Sequence, residues 1–182
     1  AEHVLLALHQ AFPQAPLFTA VFDKKANRWA NIFTIKTSWV QRIPFAGKLH
    51  RLLAPLMPLA FEGLNLSKYD VIISVSSAES KGVITSPQQR HICYLLSPPR
   101  YLYHQRNELV NAAWWSKIPG LAQCGALGLR YLTWWDKVAM SRPDVVIPLS
   151  KTVAKRFETI YGTKTDQALY PPVITKQLKT KL

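Results

Sequence analysis

The chain has 182 residues, 48 % of them hydrophobic and only 18 % charged, and 23 Lys+Arg against 10 Asp+Glu give a net charge of +13. The apolar content excludes a disordered chain, and the length suits one domain with at most a small appendage. Charged residues usually make up about 25 % of a domain, so the basic excess comes from scarce acids.

No run approaches the ~18 apolar residues of a membrane span. Cys93 and Cys124 form no CxxC and have no histidine at ligand spacing, which excludes a disulfide scaffold, leaves no metal site to expect and fits a reduced, cytoplasmic setting. The chain opens at Ala1 without a cleavable signal pattern and reads as a piece of something longer.

In chain order, Val4, Leu5, Leu8 and Phe12 recur at helical spacing over residues 2–11, and Pro13 stops them. Leu17–Asp23 and Ile32–Val40 read as β-rich runs separated by a polar KKANR segment. Over 45–62, Pro55 and Pro58 allow only a broken helix. Tyr69–Ser77 reads as a buried strand, Ala78–Thr85 as a short helix, and His91–Leu96 as a second buried strand before a proline loop. Residues 106–140 look mostly helical, interrupted near Pro119-Gly120. Asp144–Leu149 reads as a third strand, Lys151–Tyr161 as a helix closed by Gly162, and Gln167–Pro171 as a last short strand. Near-continuous apolar strands alternating with helices predict an α/β fold: a Rossmann-like open, mostly parallel sheet with helices on both faces.

Open parallel sheets bind ligands beyond the carboxyl ends of their strands. Three predicted strands end on serine, at Ser76-Ser77, Ser97 and Ser150, where hydroxyls can meet a polyol or a phosphate. Helix capping wants serine in the same places, and Ser76 with Glu79 has the spacing of a capping box. Arg100, in the loop Ser97-Pro98-Pro99-Arg100-Tyr101, is placed to grip phosphate or carboxylate, or else is an exposed charge. Lys81 reads either as a solvated charge or as a ligand to the same crevice. The chain holds no GxGxxG, Walker-type or GxSxG motif, and its five histidines make no metal-binding pair. Gly120, Gly125 and Gly128 read as packing glycines, and His91 as a core or edge histidine.

Lys24, Lys25, Arg28, Lys36, Arg42, Lys48 and Arg51 recur among Trp39, Phe45, Leu49, Leu52 and Leu53. Trp114-Trp115 stands near Lys117, and Trp134-Trp135 near Lys137. Basic residues interleaved with tryptophan and leucine suit an anionic membrane surface, although core tryptophans with solvated lysines give the same pattern. No nucleic-acid reading motif accompanies the charge, so no nucleic-acid partner is expected.

The run from Thr37 to Ser77 resembles the N-terminal domain of family-four glycosyltransferases, sugar transferases built of two Rossmann domains. The likeness continues through Lys81-Gly82-Val83, His91-Ile92-Cys93-Tyr94, Ser97-Pro98 and Arg100-Tyr101. It runs on through Trp135-Asp136, Arg142, Asp144, Ser150, Val153-Ala154-Lys155-Arg156 and Tyr170-Pro171-Pro172-Val173. The resemblance implies the acceptor-side half of a retaining transferase, moving a hexose such as mannose from a nucleotide-sugar to a glycan or lipid-linked acceptor. It implies residues 1–172 as the N-terminal domain and 173–182 as the start of an interdomain linker or a basic tail. It further implies a cleft lined by Glu2, Ser76, Ser77, Lys81, Gly82, Ser97, Pro98, Arg100, Tyr101 and Ser150, with no cofactor beyond the donor substrate, working at the inner face of the cytoplasmic membrane.

Ala1-Glu2 matches the end of the family's Gly-Gly-Ala-Glu turn, so the first strand would lie ahead of this chain. The family's donor-binding Glu-x7-Glu has no counterpart among Glu2, Glu62, Glu79, Glu108 and Glu158. Leu96 stands where the family has its histidine, Leu149 where it has Asn, and Ile174 where it has Asp, so no catalytic residue is assigned. The rival expectation is a non-catalytic basic module docking on anionic membrane or a partner protein.

Overall fold

The computed structural model describes residues 1–44, 46–47, 53–104, 119–165 and 167–171. It is an α/β fold of two open, all-parallel sheets flanked by helices. Helix α1 (Glu2–Ala11) buries Val4 and ends at Phe12, ahead of Pro13. Strands β1 (Leu17–Thr19) and β2 (Ile35–Thr37) then pair in parallel, Leu17 opposite Ile35 and Thr19 opposite Thr37. Ser38 closes this small sheet: its Oγ donates to Ala20 O at 2.9 Å and accepts from Val40 N at 3.2 Å. The broken helix expected from the prolines is a single turn at Ala54–Leu56 running into α2 (Met57–Glu62), each with a proline in its opening turn, where a missing N–H leaves no gap. Ala20, Val40, Ala46 and Ala60 form the core beneath, with Met57 and Phe61 packed against it.

The larger sheet has the order β3-β4-β5, with β3 Val71–Ser76, β4 Arg90–Leu95 and β5 Val145–Pro148. Ile73, Ile92 and Val145 lie in register across it. Helix α3 (Pro119–Met140) and helix α4 (Lys151–Tyr161) cover the sheet, burying Met140, Val153 and Phe157 against Cys93 and Leu95. The Ser150 hydroxyl caps α4 through Val153 N at 3.3 Å. Gly162 closes the helix at φ 73°, a left-handed conformation that glycine adopts without penalty.

Three expectations are corrected. Ala78–Thr85 is one 3-10 turn, Glu79–Gly82, because its capping box does not form: Ser76 Oγ donates to Ala78 O and Glu79 accepts from Tyr101 instead. Gln167–Pro171 is no strand; Leu169 N meets Pro148 O at 3.0 Å, but Leu169 and Tyr170 stay exposed and bury no apolar face. Gly120 and Gly128 are not packing glycines, since a Cβ on either would meet nothing within 4 Å. The Trp114-Trp115 pair, the basic residues Lys48 and Arg51, and the linker at 173–182 lie outside the described residues.

Candidate functional site

The carboxyl ends of β3, β4 and β5 form one edge. The ladder runs past the strands there: Leu96 N donates to Ser76 O at 2.8 Å and Leu149 N to Leu95 O at 2.9 Å. Ser76, Ser97 and Ser150 therefore follow neighbouring strands along the same rim. Their hydroxyls have different duties. Ser76 is fully buried on Ala78 O and Ser150 is the α4 cap, so the exposed Ser77 and half-buried Ser97 are the hydroxyls left for a ligand. Pro98 and Pro99 are buried and stiffen the loop after β4, which carries an exposed Arg100. Tyr101 donates its phenol proton to Glu79, tying that loop to the turn after β3. Burial first, and then the Glu79 charge, hold the Tyr101 phenol well above its usual range, so it stays a donor. Glu2 sits exposed in the first turn of α1, and no contact joins it to this group.

Lys81 is neither solvated nor open to a ligand. Its side chain is fully buried, with Nζ 2.5 Å from Asp136 Oδ1 and 2.7 Å from Ala78 O. Asp136 Oδ2 accepts two phenols, Tyr103 at 2.8 Å and Tyr161 at 2.6 Å. Burial and then the Asp136 charge push both phenols up, keeping them protonated as donors. A second brace lies beside it: Glu62 Oε1 accepts from Trp135 Nε1 at 2.8 Å and from Arg142 Nη2 at 2.7 Å. Arg142 also donates to the Gly82 carbonyl. These braces join the β3 and β4 loops to α2, α3 and α4, so the rim is rigidly mounted. They hold no free nucleophile.

Gly82 owes its identity to this packing, since a Cβ there would meet the Trp135 ring at 2.2 Å. Gly82→Ala is expected to cost about 1–3 kcal/mol, the usual range for overpacking. Urea denaturation measures it.

Between the two sheets an apolar cavity of about 650 Å³ runs from Leu66 and Tyr69 to the rim residues Ser77–Ser80. Among the described residues no group of three His, Cys, Asp or Glu is placed to hold a metal ion. Cys93 is buried, with its thiol pushed up by burial, and Cys124 is exposed. Sequence reasoning missed Asp136, Glu62, Arg142, Tyr103 and Tyr161 as a set. One signal was available: Asp136 is the lone acid in the mostly apolar α3.

The architecture defines an α/β domain with an open parallel sheet and a braced carboxyl-end rim. Comparison with protein-family models, with curated protein sequences and with solved structures gives no match.

Proposed function

We propose that this chain is the acceptor-side half of a retaining glycosyltransferase, transferring a hexose from a nucleotide-sugar to a glycan or lipid-linked acceptor. The observation that carries the reading is the rim itself. Ser77 and Ser97 offer hydroxyls and Arg100 a cation along one edge of a parallel sheet, where such folds bind ligands. The ordered resemblance over nearly the whole chain points the same way. In this reading the acceptor lies on the rim and a second domain brings the donor over it. The acceptor oxygen bonds to the anomeric carbon as the bond to the nucleoside diphosphate breaks, and the acceptor proton leaves on the departing phosphate. Closure excludes water and so limits hydrolysis. Lys81, Asp136, Glu62 and Arg142 act by positioning, since each is committed to a partner.

The test uses the full-length product of the reading frame with labelled nucleotide-hexoses and lipid-linked glycans. Arg100→Ala should lower acceptor kcat/KM by about tenfold or more while donor KM holds, as expected for loss of one charge-assisted contact. The 182-residue chain alone should transfer nothing. No hexose transfer by the full-length product, or transfer by the isolated chain, overturns the reading.

One observation favours membrane docking as a second reading. Leu127, Tyr131, Trp134 and Val138 are exposed along α3, Leu127 at 65 % and Trp134 at 61 %, at spacings that share a helix face. Lys137 and Arg130 are exposed on the same helix. Among the described residues no helix is long and apolar enough to cross a membrane, so this stripe would lie on a bilayer. Sedimentation with phosphatidylserine vesicles should show salt-sensitive binding that Trp134→Ser weakens by about tenfold, the loss expected when one large apolar side chain leaves the interface.

A further inference from the structure

Glu79 is the acid that the fold shelters without giving it a cation. In a chain of net charge +13 the other sheltered carboxylates have one: Asp136 takes Lys81 and Glu62 takes Arg142. At the surface Asp144 faces Arg90 and Glu158 faces Lys164, while Glu2, Asp23 and Asp70 are exposed to water. Glu79 is half-buried, yet no lysine or arginine among the described residues pairs with it. Lys81 stands two residues on, but its Nζ is committed to Asp136 and to the Ala78 carbonyl. Taking a carboxylate out of water is unfavourable unless hydrogen bonds replace the water.

Among the described residues Glu79 receives one such bond, from the Tyr101 phenol to Oε1. Its Oε2 has no partner there. An ionised carboxylate only accepts, with two lone pairs on each oxygen, so Oε2 calls for a proton donor. The place is the carboxyl-end rim. Ser77, exposed two residues earlier, lines the same mouth of the cavity as Glu79, and the Tyr101 contact brings the loop of the exposed Arg100 to this turn.

We propose that Glu79 Oε2 accepts from two adjacent hydroxyls of a sugar, so that the rim selects a ligand presenting an uncharged vicinal diol. The proposal rests on the reading of the rim as a sugar site and adds the group that reads the sugar. An ammonium donor would meet Arg100 on the same rim and a strongly basic chain. A phosphate or carboxylate group has no proton to give at neutral pH and would meet a like charge. A hydroxyl has neither disadvantage, and O–H bonds to a carboxylate are short and strong. Tyr101 aims the carboxylate before the ligand arrives, which lowers the ordering cost of binding.

The experiment uses the full-length product of the reading frame. Its probes are the methyl glycosides of glucose, galactose and mannose with their monodeoxy analogues, followed by ligand-observed NMR titration. At least one glycoside should bind, and Glu79→Gln should weaken it by about tenfold or more, as for loss of a hydrogen bond to a charged group. Glutamine still accepts from Tyr101, so the urea midpoint should hold. Removing one hydroxyl of the diol should weaken binding to the unchanged protein by about tenfold and leave binding to Glu79→Gln nearly the same, a coupling that a merely structural role would not produce. Tyr101→Phe should give an intermediate loss, because the carboxylate remains but is no longer aimed. Binding of none of the glycosides, or equal losses with the deoxy sugars in both proteins, overturns the proposal. A Glu79-dependent diol preference in a full-length product that transfers no hexose keeps the proposal and overturns the transfer reading. Hexose transfer with no effect of Glu79→Gln on sugar binding does the reverse.

Discussion

Asp136→Ala is expected to cost about 3–5 kcal/mol, the range for removing one partner of a buried ion pair. Three groups lose their acceptor together. Lys81, whose side chain is fully buried, keeps a charge that only the Ala78 carbonyl then meets. Tyr103 and Tyr161 lose the oxygen that accepts both their hydrogen bonds. Such a loss is a large share of the roughly 5–15 kcal/mol total stability of a typical domain, so the variant should unfold at a much lower urea concentration. Urea denaturation by circular dichroism measures it. Asp136→Asn should cost less, because the amide oxygen still accepts one phenol while the Lys81 charge goes unbalanced. The double variant Lys81→Met, Asp136→Leu should be milder than Asp136→Ala, since no buried charge remains. If Asp136→Ala alone were milder than the double variant, the pair would not be the brace described.

The strands were the most legible part of the chain. VIISVS and HICYL are short apolar runs, and burial on both faces of a parallel sheet demands that pattern. The α4 boundaries were equally plain, because Ser150 and Gly162 carry the local geometry of a cap and a stop. What the sequence concealed is tertiary. Lys81 looks like any surface lysine until Asp136, far along the chain, closes on it. Glu79 fits a capping box by spacing alone, and only the approach of Tyr101 takes its carboxylate away. The turn after β3 stays 3-10 for the same reason, since its side chains answer to distant partners rather than to their own backbone. Gly82 gave no sign of its function either, because the ring it faces belongs to α3. At the rim, spacing placed the serines on one edge, but it could not separate Ser150, a cap, from Ser97, whose half-buried hydroxyl caps no helix.

Lowering the pH from 7.5 to 4.5 should destabilise the fold through His91 by roughly 3 kcal/mol, at 1.36 kcal/mol for each pKa unit of difference between folded and unfolded states. His91 is fully buried, with Nε2 2.9 Å from Ser74 Oγ. Desolvation lowers its pKa from 6.5 to about 4, against the opposing pull of Asp144 and with a smaller push in the same direction from Arg142. Above pH 6.5 the ring is neutral folded and unfolded, and its contribution is constant. Between 6.5 and about 4 the unfolded chain binds a proton that the folded chain refuses, so stability falls as pH falls. Below about 4 the folded ring also protonates and the loss stops growing. Carboxylates add their own acid sensitivity, so the measurement compares urea midpoints at the two pH values in the native chain and in His91→Gln. The variant should lose stability at neutral pH, yet its fall between the two pH values should be smaller by about the His91 contribution. An equal fall in both chains would mean that the folded ring takes up its proton as readily as the unfolded one, and that burial does not lower its pKa.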